Sequence, residues 1–273
     1  MANPELIKPL ADARVIITRP RAQAFELASR FADLGAEVVI FPLIEIGEPS
    51  SWANLDRALR QIESYDWLIL ASGNAVDFFL RRFDEVRRDR ALLGRLKIAA
   101  VGRKTREKIE REGLKVELTP DEYTADAIVG KLMRINESGT HLNGLRALIP
   151  TSNLTRDAIR PALNNLGMVV DLVEAYQTVR PDLEPAETLK ALDSGRGGYL
   201  FFASPSAVDS LAAVLDPGQL MEMLGGLKIV CIGPTTTAAV EARGLTVDLQ
   251  PALFHTEAII DLLIADHLAG QQS

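Results

Sequence analysis

Leu70-Ala71-Ser72-Gly73-Asn74-Ala75-Val76-Asp77 and Phe202-Ala203-Ser204-Pro205-Ser206-Ala207-Val208-Asp209 are two versions of one segment, 132 positions apart. A shift of 131 or 132 positions also aligns further pairs along the chain: Leu34–Gly35 with Leu166–Gly167, Leu96–Ile98 with Leu227–Ile229, Gly113–Leu114 with Gly244–Leu245, and Thr124 with Thr256. A repeat of this length far exceeds a solenoid unit of about 20–50 residues. It therefore predicts two copies of one domain fold, with a ligand-binding cleft expected between them.

Short apolar, β-branched runs alternate with longer segments of helical period in both halves of the chain. Trp67–Leu70 and Tyr199–Phe202 are typical of buried strands, whereas Ala22–Leu34 and Ala75–Arg82 have the spacing of helices. Other predicted strands are Val15–Ile17, Glu37–Ile40, Ile98–Val101, Leu114–Leu118, Ala147–Ile149, Met168–Val173, Lys228–Ile232 and Thr246–Leu249. Strand–helix alternation predicts the α/β class, with a doubly wound parallel sheet in each repeat.

Four glycines follow predicted helices at the position where a left-handed residue usually ends a helix. They are Gly35, Gly113, Gly167 and Gly244. We expect a positive φ angle at each of them.

Composition excludes several classes of protein. The 273 residues suit two domains, and 47% apolar with 25% charged residues is ordinary for a globular protein. A net charge of −7 without any Lys/Arg-rich run argues against nucleic acid as a partner. No segment approaches the ~18 apolar residues of a membrane span. Residues 1–13 lack the apolar core of a secretory signal, so we expect a cytoplasmic protein.

The cysteine and histidine content predicts neither a disulfide nor a metal site. Cys231, the single cysteine, lies in an apolar run and is expected to be a buried strand thiol rather than a nucleophile. His141, His255 and His267 lack metal-ligand spacing, so no metal is predicted.

Four strand-to-helix junctions are rich in Gly, Ser, Thr and Asn. Ligands of open α/β sheets bind beyond the carboxyl ends of the strands, and helix starts there offer free N–H groups to anions. Pro205 and Pro234 fit the first helical turn. The candidate binding residues are Ser72, Gly73, Asn74, Gly102, Thr105, Ser204, Pro205, Ser206, Gly233, Pro234, Thr235 and Thr236. Plain helix capping by the serines and threonines is an open alternative.

Other motifs with a known mechanism are missing from the sequence. Gly102-Arg103-Lys104-Thr105 lacks the spacing of a phosphate-binding P-loop, and no Gly-x-Gly-x-x-Gly follows a strand. A Gly-x-Ser-x-Gly elbow and a pair of carboxylates at a strand end are lacking too. We therefore expect no dinucleotide cofactor, and a hydrolase mechanism built on an acid–base pair of carboxylates is not favoured.

The two Ser-x-Asn/Ser-Ala-Val junctions and the two Gly-x-x-Thr junctions resemble those of the uroporphyrinogen-III synthase family. Thr18-Arg19-Pro20 with Gln23, Pro42–Ile46 and Ala175-Tyr176-Gln177-Thr178 add to the resemblance, which runs from about residue 14 to 263. Five positions depart from the family pattern: Ala71 and Ala203 where Thr is common, Arg106 and Thr237 where Ala is common, and Thr151 where Arg is common. Arg156 or Arg160 in the next helix is the candidate replacement for the missing charge at Thr151.

The resemblance implies two flavodoxin-like lobes joined by a two-stranded linker. Lobe 1 would comprise residues 1–40 and 182–273, and lobe 2 would comprise residues 48–173. Residues 41–47 and 174–181 would form the linker strands. The repeat alone equally allows a simple cut near residue 142.

The resemblance also implies a reaction in tetrapyrrole biosynthesis, on the way to porphyrins and heme. A lyase of this family cyclises and dehydrates hydroxymethylbilane, a linear tetrapyrrole, and inverts ring D to give uroporphyrinogen III. The reaction needs no cofactor and passes through an azafulvene and a spiro intermediate. Without the enzyme, the chain closes to the uninverted isomer. A monomer whose only partner is this small molecule is expected.

Individual roles follow from the same resemblance. Tyr176 would donate a hydrogen bond or proton to the departing hydroxyl, because a tyrosine phenol keeps its proton at neutral pH. Packing of the Tyr176 ring against a lobe is the alternative. Arg19 and Lys228 would add positive charge to the substrate site. Lys228 and its repeat counterpart Lys97 are alternatively exposed cations at strand ends.

Two other functions remain compatible with the sequence. A non-catalytic bilobed sensor of an anionic small ligand would share the repeat and the cleft. A transferase acting on a phosphorylated sugar could use the same helix N-termini.

Overall fold

The computed structural model describes residues 8–120, 125–137, 141–155, 157–192 and 197–271. Thr124, one member of a repeat pair, and Arg156, one candidate for the missing charge, lie outside the described residues. The elements of the first half are β1 (Arg14–Ile17), α1 (Arg21–Asp33), β2 (Glu37–Ile40), β3 (Glu45–Gly47), α2 (Ala53–Arg60), β4 (Trp67–Leu70), α3 (Gly73–Val86), β5 (Lys97–Ala100), α4 (Arg103–Arg111), β6 (Val116–Leu118) and α5 (Ala125–Glu137). Short 3-10 helices cover Ile62–Ser64 and Arg90–Arg95.

The second half has the same alternation of strands and helices. Its elements are β7 (Arg146–Ser152), α6 (Ile159–Asn165), β8 (Val169–Val179), α7 (Pro185–Leu192), β9 (Tyr199–Phe202), α8 (Pro205–Val214), α9 (Pro217–Leu224), β10 (Lys228–Cys231), α10 (Pro234–Glu241) and α11 (Thr256–Gln271). None of the helices in the described ranges has the length and apolar character that crossing a bilayer requires.

The chain divides into two compact units. Unit 1 comprises Met1–Glu45 and Val179–Ser273, and unit 2 comprises Ile46–Thr178. The predicted lobe limits, with residues 41–47 and 174–181 as linker strands, stay a prediction. In the structure, residues 174–179 continue β8 without a break, whereas the sequence predicted a strand that ends at Val173.

The sheet of unit 1 is parallel and has the order β10-β9-β1-β2. Counted along the unit, this order is 4-3-1-2, which corresponds to the first four strands of a flavodoxin-like sheet. Val230 forms an isolated parallel bridge with Leu249. The sequence predicted a strand at Thr246–Leu249, but these residues form only this single bridge. The Ile229 N–H donates a 2.7 Å hydrogen bond to the Asp248 carboxylate, so it does not form the backbone hydrogen bond that a regular parallel ladder would have.

The sheet of unit 2 has the order β3-β8-β7-β4-β5-β6, and its pairs from β8 to β6 are parallel. All four β4 side chains are buried and alternate between the two faces of the sheet. Leu68 and Leu70 join the core cluster that contains Phe79, whereas Trp67 and Ile69 join the cluster that contains Leu132. Burial on both faces is what a central strand of a parallel sheet requires. The predicted α/β class with parallel sheets is confirmed.

The four glycines expected to end helices all have positive φ angles, between 74° and 97°, which confirms that expectation. Gly167 has a second constraint. A Cβ atom at this position would lie 3.0 Å from the Asn143 Cα and would meet the Asn143 side chain. Gly113 has nearly the same φ angle, with open space where its Cβ would be.

Gly167→Ala should therefore destabilise unit 2 more than Gly113→Ala. The left-handed backbone alone costs an alanine about 1–2 kcal/mol, and the Asn143 contact should add about 1–3 kcal/mol. Urea unfolding monitored by circular dichroism measures both free energies. Equal losses in the two variants would show that Asn143 gives way without cost.

Candidate functional site

The carboxyl ends of the parallel strands form one edge in each sheet, and the direction of chain winding reverses at one point along it. In unit 1 the chain proceeds from β1 to β2 in one direction and from β9 to β10 in the other. In unit 2 the reversal lies between β4 and β7. Ligands of open α/β sheets bind at such reversal points. Ser204 follows β9 and Ser72 follows β4, so each repeated serine lies beside a reversal point.

A pocket of about 110 Å³ occupies the reversal point of unit 1. Arg19 follows β1, Ser204 follows β9, and both line this pocket. Its other lining residues are Thr18, Pro20, Gln23, Ile44, Ala203 and Ala207. Thr18 fixes the β1 end, because its hydroxyl donates a 2.8 Å hydrogen bond to the Phe201 carbonyl.

Arg19 is a half-buried cation above an aromatic ring. Its guanidinium carbon lies 5.5 Å from the centre of the Phe201 ring. Burial lowers the pKa of Arg19, and no carboxylate of the described residues forms an ion pair with it. A guanidinium remains charged in a protein despite such a shift. The pocket therefore contains a positive charge that the described residues do not neutralise.

Ser204 is a further polar residue in the lining of this pocket. Its Oγ is buried and has no hydrogen-bond partner among the described residues. The N–H of Ala207, which could bond to that oxygen, instead donates to the Ser204 carbonyl at 3.2 Å. A buried hydroxyl left without a partner costs about 1–3 kcal/mol. A carboxylate bound here could accept a hydrogen bond from the Ser204 hydroxyl and form an ion pair with the Arg19 guanidinium.

Three helices of unit 1 begin at this edge without a side-chain cap. The residues before α1, α8 and α10 are Pro20, Ser204 and Gly233, and none of their side chains bonds to the first helical turn. Uncapped first turns leave N–H groups free and carry the positive end of the helix dipole. The edge is therefore suited to an anionic ligand.

In unit 2, the corresponding serine is fully engaged. The Ser72 Oγ accepts a 3.1 Å hydrogen bond from the Ala75 N–H and lies 3.1 Å from the Tyr176 hydroxyl. Tyr176 projects from β8, and only 9% of the residue is exposed. Its ring stacks on Phe78 with centroids 5.8 Å apart. The structure thus brings together Tyr176 and Ser72, which the sequence placed in the same site.

The threonines of the Gly-x-x-Thr junctions are less accessible than the sequence suggested. Thr105 is 6% exposed and Thr236 is 1% exposed, because the third residue of each helix faces the core. Pro234 and Thr235 are exposed instead. The remaining predicted residues of these junctions, Gly73, Asn74, Gly102, Pro205 and Ser206, are partly exposed at the starts of α3, α4 and α8.

Gly233 is buried under Phe254. A Cβ atom at position 233 would lie 3.1 Å from the Phe254 Cδ1, so the close approach of the ring explains the glycine. Phe254 itself is 58% exposed.

The structure does not bring Lys228 to this edge. Lys228 begins β10, whereas Gly233 follows the other end of the strand, about 16 Å away at ~3.3 Å per residue. The Lys228 ammonium lies 2.8 and 2.7 Å from the two Asp266 carboxylate oxygens. The Tyr199 hydroxyl also donates to Asp266, at 2.7 Å. Lys228 therefore forms an ion pair at the end of the sheet opposite to the Ser and Thr junctions.

Lys228→Met should lower stability and leave substrate kinetics unchanged. Burial acts to raise the pKa of Asp266, but hydrogen bonds from Lys228 and Tyr199 outweigh it and leave the pKa below its ordinary value. A depressed carboxyl pKa stabilises the fold above the unfolded pKa of ~3.9 and stops doing so as pH falls through the folded pKa.

For Lys228→Met we expect a loss of about 1 kcal/mol at pH 7, since the pair is partly exposed. Urea unfolding at pH 7 and at acid pH should show the difference from the unmodified protein shrinking with acidity. A tenfold higher KM in Lys228→Met would instead show that Lys228 contacts the substrate.

Two other predicted features have a structural explanation. Cys231 is buried in β10, as expected, and burial raises the pKa of its thiol to about 11. Arg160, a candidate to replace the charge missing at Thr151, forms a 3.0 Å ion pair with Asp157. With Arg57 and Arg146 it lines a separate pocket of about 280 Å³.

The sequence did not single out Phe78 and Arg81. They lie three residues apart on α3, where an aromatic and an arginine are typical of core packing and of a solvated face. Only the position of β8 shows that Phe78 contacts Tyr176. The sequence alone carries no signal for that contact.

Each α/β unit has hydroxyls and uncapped helix starts at the carboxyl ends of its parallel strands, which is the chemistry of sites for anionic small molecules. The family model described as "Uroporphyrinogen-III synthase HemD" matches residues 26–261. The uroporphyrinogen-III synthase of Synechococcus elongatus is 30% identical over 88% of this chain and 94% of its own length. The putative enzyme of Methanocaldococcus jannaschii is 28% identical over 92% and 97%.

Solved structures show the same fold. A mutant uroporphyrinogen III synthase of Thermus thermophilus has a TM-score of 0.63 at 17% identity and covers 94% of this chain and 99% of its own. The Helicobacter pylori enzyme has a TM-score of 0.62 at 15% identity, with 93% and 99% covered. This chain belongs to the uroporphyrinogen-III synthase family, whose members are lyases that close a tetrapyrrole ring. The non-catalytic sensor is not favoured.

Proposed function

We propose that this chain converts hydroxymethylbilane, a linear tetrapyrrole, to uroporphyrinogen III with loss of one water and inversion of ring D. The observation that carries the proposal is the Arg19–Ser204 pocket. Arg19, whose charge the described residues do not neutralise, and Ser204, whose buried hydroxyl has no partner among them, line the same pocket of about 110 Å³ beside the uncapped starts of α1 and α8. The substrate carries eight carboxylates, and the pocket has the charge and the donors to hold one of them.

The chemical step is assigned to Tyr176 in this proposal. Its hydroxyl donates to the departing hydroxyl, which leaves as water, and the pyrrole nitrogen stabilises the resulting azafulvene. Ser72, 3.1 Å from the phenol oxygen, orients the Tyr176 O–H group. The rest of the task is to hold the chain so that ring D closes through its substituted carbon.

Further parts of the proposal concern the context in which the enzyme acts. The reaction has no redox step and requires no cofactor. We propose a monomer that acts in the cytoplasm with the linear tetrapyrrole as its sole partner. At the start of α10, the exposed Thr235, which follows Pro234, supplies an additional carboxylate contact through its hydroxyl.

Isomer analysis tests the proposed activity directly. Purified protein is given freshly prepared hydroxymethylbilane, and the oxidised products are separated by isomer. The type III isomer should predominate, while heat-inactivated protein should give type I. Type I alone from the folded protein would support a sensor. Phosphate binding at the strand ends without tetrapyrrole binding would support a transferase of phosphorylated sugars.

A further inference from the structure

An aromatic and cationic stack holds the ring of Tyr176 in unit 2. The Phe78 ring lies against the Tyr176 ring at 5.8 Å between centroids, with 30° between the ring planes. The Arg81 guanidinium lies 4.7 Å from the centre of the Phe78 ring. Offset ring pairs and a cation above a ring both stabilise a defined geometry. Phe78 therefore contacts both Tyr176 and Arg81.

The stack and the serine that contacts the phenol belong to one helix. Ser72 caps α3, and Phe78 and Arg81 lie about 1.7 and 2.5 turns further along it. The Tyr176 ring is thus fixed at its face by Phe78 and at its hydroxyl by Ser72. Two contacts from one rigid element restrict both side-chain torsions of the tyrosine.

Arg81 is itself held in place. It forms a 3.1 Å ion pair with Glu48 and lies 6.0 Å from the centre of the Trp52 ring. Arg82, on the same helix, also lies over Trp52, with its guanidinium 4.9 Å from the ring centre. Arg81 thus has two contacts besides the one with Phe78, to Glu48 and to Trp52.

We propose that Phe78, backed by Arg81, is a positioning residue that aims the phenol of Tyr176 at the departing hydroxyl. This inference rests on the proposed function, because it assigns Tyr176 a proton-donating role. Phe78 does not itself contact the reacting atoms. Its effect is on the fraction of time that the phenol spends in the donating orientation.

Phe78→Leu should lower kcat about three- to tenfold and leave KM within twofold, because only an interaction used in the chemical step is lost. Phe78→Tyr retains the ring face and should retain kcat. Arg81→Gln removes the cation from a partly exposed site and should lower kcat about twofold in a folded protein. Unchanged kcat in folded Phe78→Leu would overturn the inference.

Phe79→Leu is the matched control. It makes the same change one residue along α3, in a fully buried ring that packs on Phe83. This variant should unfold more easily than Phe78→Leu and keep its kcat. A fall in kcat in both variants, in proportion to stability, would mean that Phe78 acts only through packing.

A double-mutant cycle and fluorine NMR separate this inference from the proposed role of Tyr176. In a Tyr176→Phe background, Phe78→Leu should have no further effect on kcat; an undiminished effect would contradict positioning. With 3-fluorotyrosine incorporated, Phe78→Leu should shift or broaden the Tyr176 resonance, which Tyr176→Phe identifies. If Tyr176→Phe keeps full turnover while the resonance still responds, the chemical role fails and the contact with Phe78 stands. An unmoved resonance would refute the contact.

Discussion

Tyr176→Phe should lower the enzyme-dependent turnover of hydroxymethylbilane about 100-fold, because a positioned proton donor contributes about 10²–10⁴-fold to a rate. The product should shift from the type III to the type I isomer, since spontaneous closure then competes. Loss of the 3.1 Å contact with Ser72 should cost only about 1 kcal/mol of stability. Initial rates and the isomer ratio measure the effect.

Tyr65→Phe is the control for this variant. The Tyr65 hydroxyl donates to Asp171 at 2.6 Å in the same unit, so the change removes an equivalent phenol hydrogen bond. We expect lower stability and unaltered turnover. If Tyr176→Phe behaves like Tyr65→Phe, the phenol of Tyr176 is structural and the proton must come from elsewhere.

Arg19→Gln should raise KM for hydroxymethylbilane about 10- to 100-fold and change kcat little. A hydrogen bond to a charged group is worth about 1.5–3 kcal/mol, and glutamine retains a donor without the charge. Stability should be unchanged or higher, because an uncompensated half-buried cation costs free energy. Kinetics and thermal unfolding together separate binding from folding.

Arg21→Gln removes the same charge two residues along, at the exposed first position of α1. It should leave KM within about twofold. Equal KM effects in the two variants would show that the weaker substrate binding comes from the overall electrostatic potential of unit 1 rather than from a contact in the pocket. A KM unaltered by Arg19→Gln would remove the carboxylate contact from the proposal.

The fold was predictable because its signals are local. β4 and β9 are short runs of large hydrophobic residues. This composition is typical of strands that are buried on both faces of a parallel sheet. The helix-ending glycines were predictable because few residues tolerate the left-handed region. The end of β8 was not, since nothing in residues 174–179 distinguishes a continued strand from a separate linker strand.

The site was predictable only as a set of junctions. The repeat placed Ser72 and Ser204 at the right strand ends, but it could not show that one hydroxyl is bonded and the other is not. Thr236 carries a suitable hydroxyl, yet its place in the helix turns it toward the core. The resemblance alone gave Lys228 a role, and it could not show that Lys228 lies at the end of β10 away from the Gly233 turn.

The difference between Ser72 and Ser204 has a consequence for evolution of this chain. The Ser72 hydroxyl forms hydrogen bonds within the unliganded protein, whereas the Ser204 hydroxyl has no partner among the described residues. Ser204→Asp would bring a negative charge to the start of α8 and to the pocket that Arg19 lines, where it would compete with an anionic ligand. A substitution that raises stability at position 204 should therefore weaken substrate binding. This trade-off limits the free energy of unfolding that the unliganded enzyme can reach through this position.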